Sequence, residues 1–454
     1  MKLRVQSGRI TIFFQYIMKF GRSLLPKRSS KPTRTSQATV IDASQHGIRA
    51  KLISENAINI LNRLIAAGYE AYLVGGGVRD LLLNKKPKDF DLVTNATPEE
   101  IKALFHNCRI IGSRFRLAHV YFGRQIIEVA TFRSNTTNNT NVKTDEKTGL
   151  ILRDNTYGTL EEDAARRDFT VNALYYRAQD NAILDFANGV QALEQGQLIL
   201  IGDPSARYRE DPVRMLRAIR FSVKLALSID TSAAEAISTH AHLLKNIPSA
   251  RLFEEVQKLF LNDCARETFD ALLEYKVFEH MFPSTADCIS HQATYLEMTQ
   301  LAMDNTNIRV KAGKYVTPAF LFAVLLWGPL QNNWRKEKVK GTPFYPAYQI
   351  AIHKTLATQV LSTSIPKRFS KPLREIWELQ LRLPKRKTAD KIMEHPRFRA
   401  AYDFLLLREG CGELNHNNLG TWWTDYQEAD ATQRVKMIEA LPNNRRTRRK
   451  KVSH

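Results

Sequence analysis

The stretch LVGGGVRDLLLNKKPKDFDL, residues 73–92, constrains this chain more than any other. EAYLV (70–74) reads as a strand, and the glycines after it read as a tight turn, because glycine alone takes a positive φ without steric cost. VRDLLL then predicts a short helix, and DFDLV (89–93) a second strand. Alternate residues of a strand share a face, so Asp89 and Asp91 are expected to project together. Two unpaired carboxylates roughly 5–7 Å apart repel, and burying them costs several kcal/mol. A divalent cation removes that penalty, and Mg²⁺ takes one or two carboxylates together with phosphate oxygens and water. The alternating segment IIEVATF supplies a third carboxylate, Glu128, flanked by apolar residues. An isolated Asp-x-Asp is as well explained by a turn cap and a solvated face. Glycines upstream change the balance: Gly75 and Gly76 let the backbone approach a triphosphate and offer it N–H donors. Arg79 adds a guanidinium fork for phosphate oxygens.

Two further clusters accompany this one. EEDAARRDFTVNAL (161–174) sets Arg166, Arg167 and Asp168 before a strand-like FTVNALYY. Arginine suits a triphosphate, and an aspartate accepts from a ribose hydroxyl; a surface ion-pair cluster explains the same residues. REDPVRMLRAIRF (209–221) opens on Asp211-Pro212, a common helix start, with Arg214 one turn on. An Asp acceptor beside an Arg donor on one face matches a purine edge, although helix capping alone accounts for the spelling.

The length, 454 residues, predicts two or three domains, and 67 Lys+Arg against 46 Asp+Glu gives a formal net charge of +21. That excess favours a polyanionic partner, nucleic acid or an anionic membrane surface. The four cysteines, Cys108, Cys264, Cys288 and Cys411, are far apart and have no metal-ligand spacing, which fits a reducing cytoplasm. Residues 1–50 carry ten Lys/Arg and one acid, Asp42, and are expected to be a disordered basic extension. Within them ITIFFQYIMKF (10–20) is too short to span a bilayer. It fits a weak membrane-surface element, or upstream sequence with Met18 as the start. Order is expected from Ser54, capping a helix that stops at Gly68, and Thr97-Pro98-Glu99-Glu100 opens another helix. CRII, HVYF and IIEVATF predict strands, and the Asn/Thr-rich 134–149 a loop. From about 178 the pattern turns helical. The expected fold class is α+β, a small mixed-sheet head (51–177) followed by an all-helical neck (178–265) and body (266–430), with a basic tail (431–454) ending in RRTRRKK.

Together these stretches resemble bacterial poly(A) polymerase and its sister, the CCA-adding tRNA nucleotidyltransferase. LVGGGVRDLLL…DFD looks like the family's first motif, RRDFTVNAL its second, and REDPVRMLRAIRF its nucleobase-selecting motif. The resemblance is specific over 51–265 and looser to about 430. It implies a nucleotidyltransferase head with neck and body helices that hold RNA. It implies Asp89, Asp91 and Glu128 as catalytic metal ligands and Gly75, Gly76 and Arg79 as a phosphate-binding turn. Arg167 and Asp168 match the triphosphate and ribose contacts, and Asp211 and Arg214 the base-reading pair. RNA-decay proteins are implied partners; DNA is not. Between the sisters, IIGSRFRLAHVYF (110–122) resembles the arginine-rich strand segment of the poly(A) polymerases, with Ser113 a departure from its usual pair of basic residues. No His-Asp dipeptide occurs, so the phosphohydrolase domain of some CCA-adding enzymes is absent. Basic extensions at both ends suit sequence-independent RNA binding.

The expected reaction is template-independent transfer of AMP from ATP to RNA 3′ ends with two Mg²⁺ ions and in-line release of pyrophosphate. No residue is assigned as a general base. IPKRFSKPLREIW (365–377) and RLPKRK (382–387) fit an RNA backbone track or a solvated helix face equally. The rivals are CCA addition, a non-catalytic RNA-binding scaffold and a metal-dependent RNA hydrolase.

Overall fold

Eight short strands form the sheet of a computed structural model that describes residues 38–112, 116–134, 142–144, 151–154, 157–414 and 418–442. They are β1 (Thr39–Ile41), β2 (Ala71–Val74), β3 (Asp91–Thr94), β4 (Cys108–Ile111), β5 (Leu117–Phe122), β6 (Gln125–Thr131), β7 (Leu174–Arg177) and β8 (Ala182–Asp185). Their order is β1-β8-β7-β2-β3-β6-β5-β4. Every neighbouring pair is antiparallel except β3 and β6, which run parallel with Asp91 opposite Glu128.

Helix α1 (Glu55–Ala66) covers the sheet with Ala57, Ile60, Leu61 and Leu64, the i, i+3, i+4, i+7 stripe of an amphipathic helix. Ser54 stands at its N-cap, but the Ser54 hydroxyl accepts from Gln125 Nε2 at 3.0 Å and makes no cap bond. Gly68 ends the helix at φ 88°. Helix α2 (Gly76–Leu82) follows β2 directly, and α3 (Pro98–Leu104) starts at Thr97-Pro98 as expected, where Thr97 and Glu100 also close a capping box. The head core gathers Ile60, Leu73, Val78, Leu92, Val129 and Tyr176, all at or below 2% exposure.

Several expectations are corrected. The extension expected to lack structure to residue 50 gives way earlier, at β1, which pairs Thr39 with Asp185 at the sheet edge. The turn to helix expected at 178 is delayed by β8, so the sheet runs past 177. Asp89 is not in a strand: β2 ends at Val74, where Gly75 turns the chain at φ 71°, and the ladder on β3 begins at Asp91 with nothing on that side for Asp89 to pair with. Within the expected tail, Ala431–Glu439 is a helix with an Asp430 cap. ITIFFQYIMKF, Met18, Ser113 and RRTRRKK lie outside the described residues, as does most of 134–149.

Beyond the sheet come α4 (Leu160–Arg166), α5 (Gly189–Glu194), α6 (Pro204–Glu210) and α7 (Val213–Leu225), of which α4 precedes β7 in the chain. Asp211 ends α6 and also opens α7, where its Oδ1 accepts from the Val213 N–H at 3.2 Å and its carbonyl from the Arg214 N–H at 3.0 Å, with Pro212 at the α7 cap. One apolar core runs without interruption from Phe169 through Leu259 to Phe404, so packing marks no break at 265. In the body, Trp377 Nε1 donates to the Ala323 carbonyl at 2.9 Å inside the wholly apolar helix Pro318–Leu325. No helix among the described residues is long and apolar enough to cross a membrane.

Candidate active site

The parallel pairing of β3 and β6 decides where the carboxylates meet. Asp91 and Glu128 stand opposite each other in register and line one cleft of about 310 Å³ with Asp163, Arg133, Arg166 and Arg167. Crowding in that cleft pushes the Asp91 carboxyl up to about 6: burial contributes most, the charge of Glu128 next, Arg167 opposes, and Asp89 adds a smaller push. Its side chain still reaches solvent, so desolvation acts on a carboxylate at the floor of an open cleft. On β5, His119 stands opposite Glu128, with Nε2 3.4 Å from Oε1.

Asp89 precedes the strand, is exposed and does not line the cleft. Among the described residues no three or more His, Cys, Asp or Glu side chains are gathered into a ready metal cluster. The donor chemistry fits a hard divalent cation nonetheless. Two carboxylates face each other in register, a third acts on one of them through space, and burial, reinforced by that repulsion, holds Asp91 toward its protonated form.

At the glycine turn, a side chain on Gly75 would meet Arg167 Nη1 at 3.5 Å, in a backbone conformation that side chains rarely adopt. The turn thus sits directly against the second motif. Arg79 points inward, 3% exposed; its Nη1 donates to Asn172 Oδ1 at 2.6 Å and its Nε to Asp80 at 2.9 Å. Arg167 is held by Asp163 Oδ2 at 3.0 Å and by the Tyr175 hydroxyl at 2.9 Å. Tyr175 in turn donates to the same Asp163 oxygen at 2.9 Å.

Asp168 is fully engaged. It accepts from Arg217 Nε at 2.6 Å, from Asn172 Nδ2 at 3.2 Å and from the Phe169 N–H at 2.9 Å. Burial works to raise its pKa, but Arg217 and these donors outweigh burial and hold the carboxyl below its ordinary value. Asn172 therefore bridges the arginine of the first motif to the aspartate of the second. Arg207 joins the second motif to the third, donating through Nη2 to the carbonyls of Arg166 and Arg167, both at 2.7 Å.

Asp211 and Arg214 are brought near this network but not to each other's side chains. Asp211 accepts from Arg251 at 2.7 Å, and Arg214 donates to Glu210 at 2.7 Å and to the Arg207 carbonyl at 2.9 Å. Phe221 lies at the meeting point, its ring centroid 5.3 Å from Arg79, 5.3 Å from Arg217 and 5.0 Å from Arg220.

The sequence reading missed Asp163, Asn172, Tyr175, Arg217 and Phe221, although all five fall in or beside the quoted motifs. What was lacking was which of their polar groups fold inward. His119 carries no local signal, because only the β5–β6 register sets it opposite Glu128.

Residues 71–199 match the family described as "Poly A polymerase head domain". Residues 226–289 match "Probable RNA and SrmB- binding site of polymerase A", and residues 340–454 match "Polymerase A arginine-rich C-terminus". Poly(A) polymerase I of Salmonella typhi is 45% identical over 457 residues, covering 96% of this chain and 98% of its own. A CCA-adding enzyme of Lactobacillus helveticus is 37% identical, but over only 49% of this chain and 54% of its own. The fold is that of the Bacillus stearothermophilus CCA-adding enzyme crystallised with CTP, which covers 82% of this chain and 80% of its own at a TM-score of 0.53 and 24% identity. Head, neck-side helices and arginine-rich end thus all agree, and the chain belongs to the bacterial poly(A) polymerase family.

Proposed function

We propose that this enzyme adds AMP from ATP to RNA 3′ ends without a template. The observation that carries this reading is the length of the match. Likeness to poly(A) polymerase I runs through 96% of the chain, whereas likeness to the CCA-adding enzyme covers 49%.

In the proposed reaction the RNA 3′-oxygen attacks the α-phosphorus of ATP, the bond to the bridging α–β oxygen breaks, and pyrophosphate leaves. Gly75 and Gly76 give the triphosphate close access to backbone. Arg167, braced by Asp163 and Tyr175, faces it from the cleft wall. Arg79 is buried, so it supports the turn from behind and keeps the glycines against Arg167. Asp168 meets the ribose only if it exchanges part of its bond to Arg217. Asp211 and Arg214 read the adenine edge after turning from Arg251 and Glu210, so base selection is a rearrangement of partners already in place. Asp91 and Glu128, joined by Asp89 once it turns into the cleft, would hold Mg²⁺, two ions in this reading, which supplies Lewis-acid activation of the hydroxyl and charge neutralisation on the triphosphate.

The four cysteines are free thiols, which supports a cytoplasmic site of action. The family description matching 226–289, which names RNA and SrmB, supports these helices as a place where RNA and a partner protein bind. The basic flanks of ITIFFQYIMKF support a weak membrane-surface contact.

Primer extension with each NTP supplied alone tests the reading. Long products with ATP only are expected. Addition that stops after C, C and A on a truncated tRNA would replace it with CCA addition, and shortening of RNA without ATP would replace it with hydrolysis.

A further inference from the structure

A second cavity, of about 560 Å³, opens in the helical body among Ala293–Lys311, Pro318–Leu325, Lys367–Gln380 and Phe398–Gly410. None of these helices contributes to the cleft at the sheet. The apolar part of its wall is Ile308, Phe320, Phe369, Ile376 and Leu406, with Tyr315 on the lip. Tyr315 is 70% exposed and Ile308 65%, which leaves an aromatic and an aliphatic face open to solvent at the mouth of the cavity. Four arginines also line it, Arg309, Arg368, Arg397 and Arg399, against one acid, Asp403.

The arginines are not equivalent. Arg399 is paired with Asp403 at 3.0 Å and Arg397 with Glu375 at 3.3 Å. Arg309 donates only to the Tyr315 carbonyl, at 3.3 Å, and Arg368 lies over the Phe369 ring at 4.8 Å. Neither makes an ion pair among the described residues. Two unneutralised guanidinia beside an apolar hollow with an exposed aromatic lip ask for a ligand that is flat and apolar at one end and anionic at the other. An unpaired nucleotide meets that description: its base stacks on aromatic and guanidinium planes and its phosphate neutralises arginine. An acidic peptide satisfies the charge but leaves the stacking faces unused.

We propose that this body cavity binds one or two unpaired nucleotides of single-stranded RNA, a holding site separate from the transfer site. The proposal rests on the reading that RNA is the substrate.

The test is a titration of the full chain with an oligoadenylate carrying 2-aminopurine, comparing wild type with Tyr315→Ala, Arg368→Gln and Arg374→Gln. All three positions are exposed, so none of the changes empties the core. Arg374 shares the Arg368 helix but does not line the cavity. Tyr315→Ala and Arg368→Gln are each expected to weaken binding by about fivefold or more. Tyr315→Ala is also expected to lose most of the fluorescence quench, and Arg374→Gln to change affinity less than about twofold. A fluorescent ATP analogue binding equally to all four proteins shows that the head is intact. Equal oligoadenylate affinity in all four proteins would overturn the proposal, as would equal losses for Arg368→Gln and Arg374→Gln. A polyglutamate peptide whose binding needs Tyr315 while that of oligoadenylate does not would reassign the cavity to a protein partner. Failure of the wild type to extend RNA with ATP would sink the transferase reading instead, and the titration would still decide the cavity.

Discussion

Asp91 carries a charge conflict whose sign can be followed through pH. Its carboxyl titrates near 6 because of burial and the facing Glu128, so the folded protein holds this proton more tightly than an unfolded chain does. The metal-free protein gains stability from that proton at low pH and loses it as pH rises through about 6. Calorimetry without Mg²⁺ should show the unfolding temperature falling between pH 5 and 7, with a shallower fall in Asp91→Asn. A cation must displace the same proton, so the Mg²⁺ needed for half-maximal AMP transfer should drop over the same interval. Asp91→Asn should reduce transfer to background while RNA retention on a filter stays near normal. Asn172 offers a second case. Asn172→Ala removes the 2.6 Å acceptor of the buried Arg79 guanidinium, and a charge-assisted bond of that kind contributes about 1.5–3 kcal/mol. Urea unfolding should show a loss of that order, with a raised KM for ATP. The sequence makes Asp91 and Glu128 visible as candidates because apolar neighbours flank them on an alternating pattern. It does not reveal that Asn172 bridges two motifs, since 93 residues separate it from Arg79.

Elements were legible where their signals are local. Thr97-Pro98 with Glu100 builds its capping box whatever surrounds it, and the stripe on α1 buries as its spacing requires. β1 and β8 were missed because each is three or four residues long and becomes a strand only through its partners, β8 for β1, and β7 together with β1 for β8. The start of β3 was misplaced because the Gly75 turn on a neighbouring strand sets it. Helix α7 shows what such contacts join. Its Phe221 receives Arg79 from the first motif and Arg217, the partner of Asp168, around one ring, and meets Phe169 edge-on at 5.8 Å. Phe221→Leu keeps apolar bulk and removes the π face, forfeiting about 0.5–1 kcal/mol for each arginine it held. The expected result is a lower melting temperature together with a raised KM for ATP. A lower melting temperature with unchanged KM would make Phe221 a packing residue only.

At the scale of the molecule, charge and core divide the work. Apolar packing is continuous from Phe169 to Phe404, so α7, which carries the proposed base-reading residue Arg214, and the body are built as one mass. The formal net charge of +21 adds a long-range attraction that needs no defined geometry. RRTRRKK concentrates six basic residues in seven positions near the chain end. If those residues sit on RNA phosphates, each contact contributes about 0.7 to the slope of log affinity against log salt for a single strand. Deleting 443–454 should then flatten that slope by up to about four, in equilibrium titrations between low and physiological salt. KM for ATP should stay constant, because the cleft draws its residues from the sheet and α4. A slope that does not move would assign RNA affinity to the folded body, where Arg309 and Arg368 are the cations without an acidic partner at the cavity. The tail and the cavity thus predict different salt signatures. Loss of the tail changes the slope, whereas loss of Tyr315 lowers affinity equally at every salt concentration, because stacking releases no counterions.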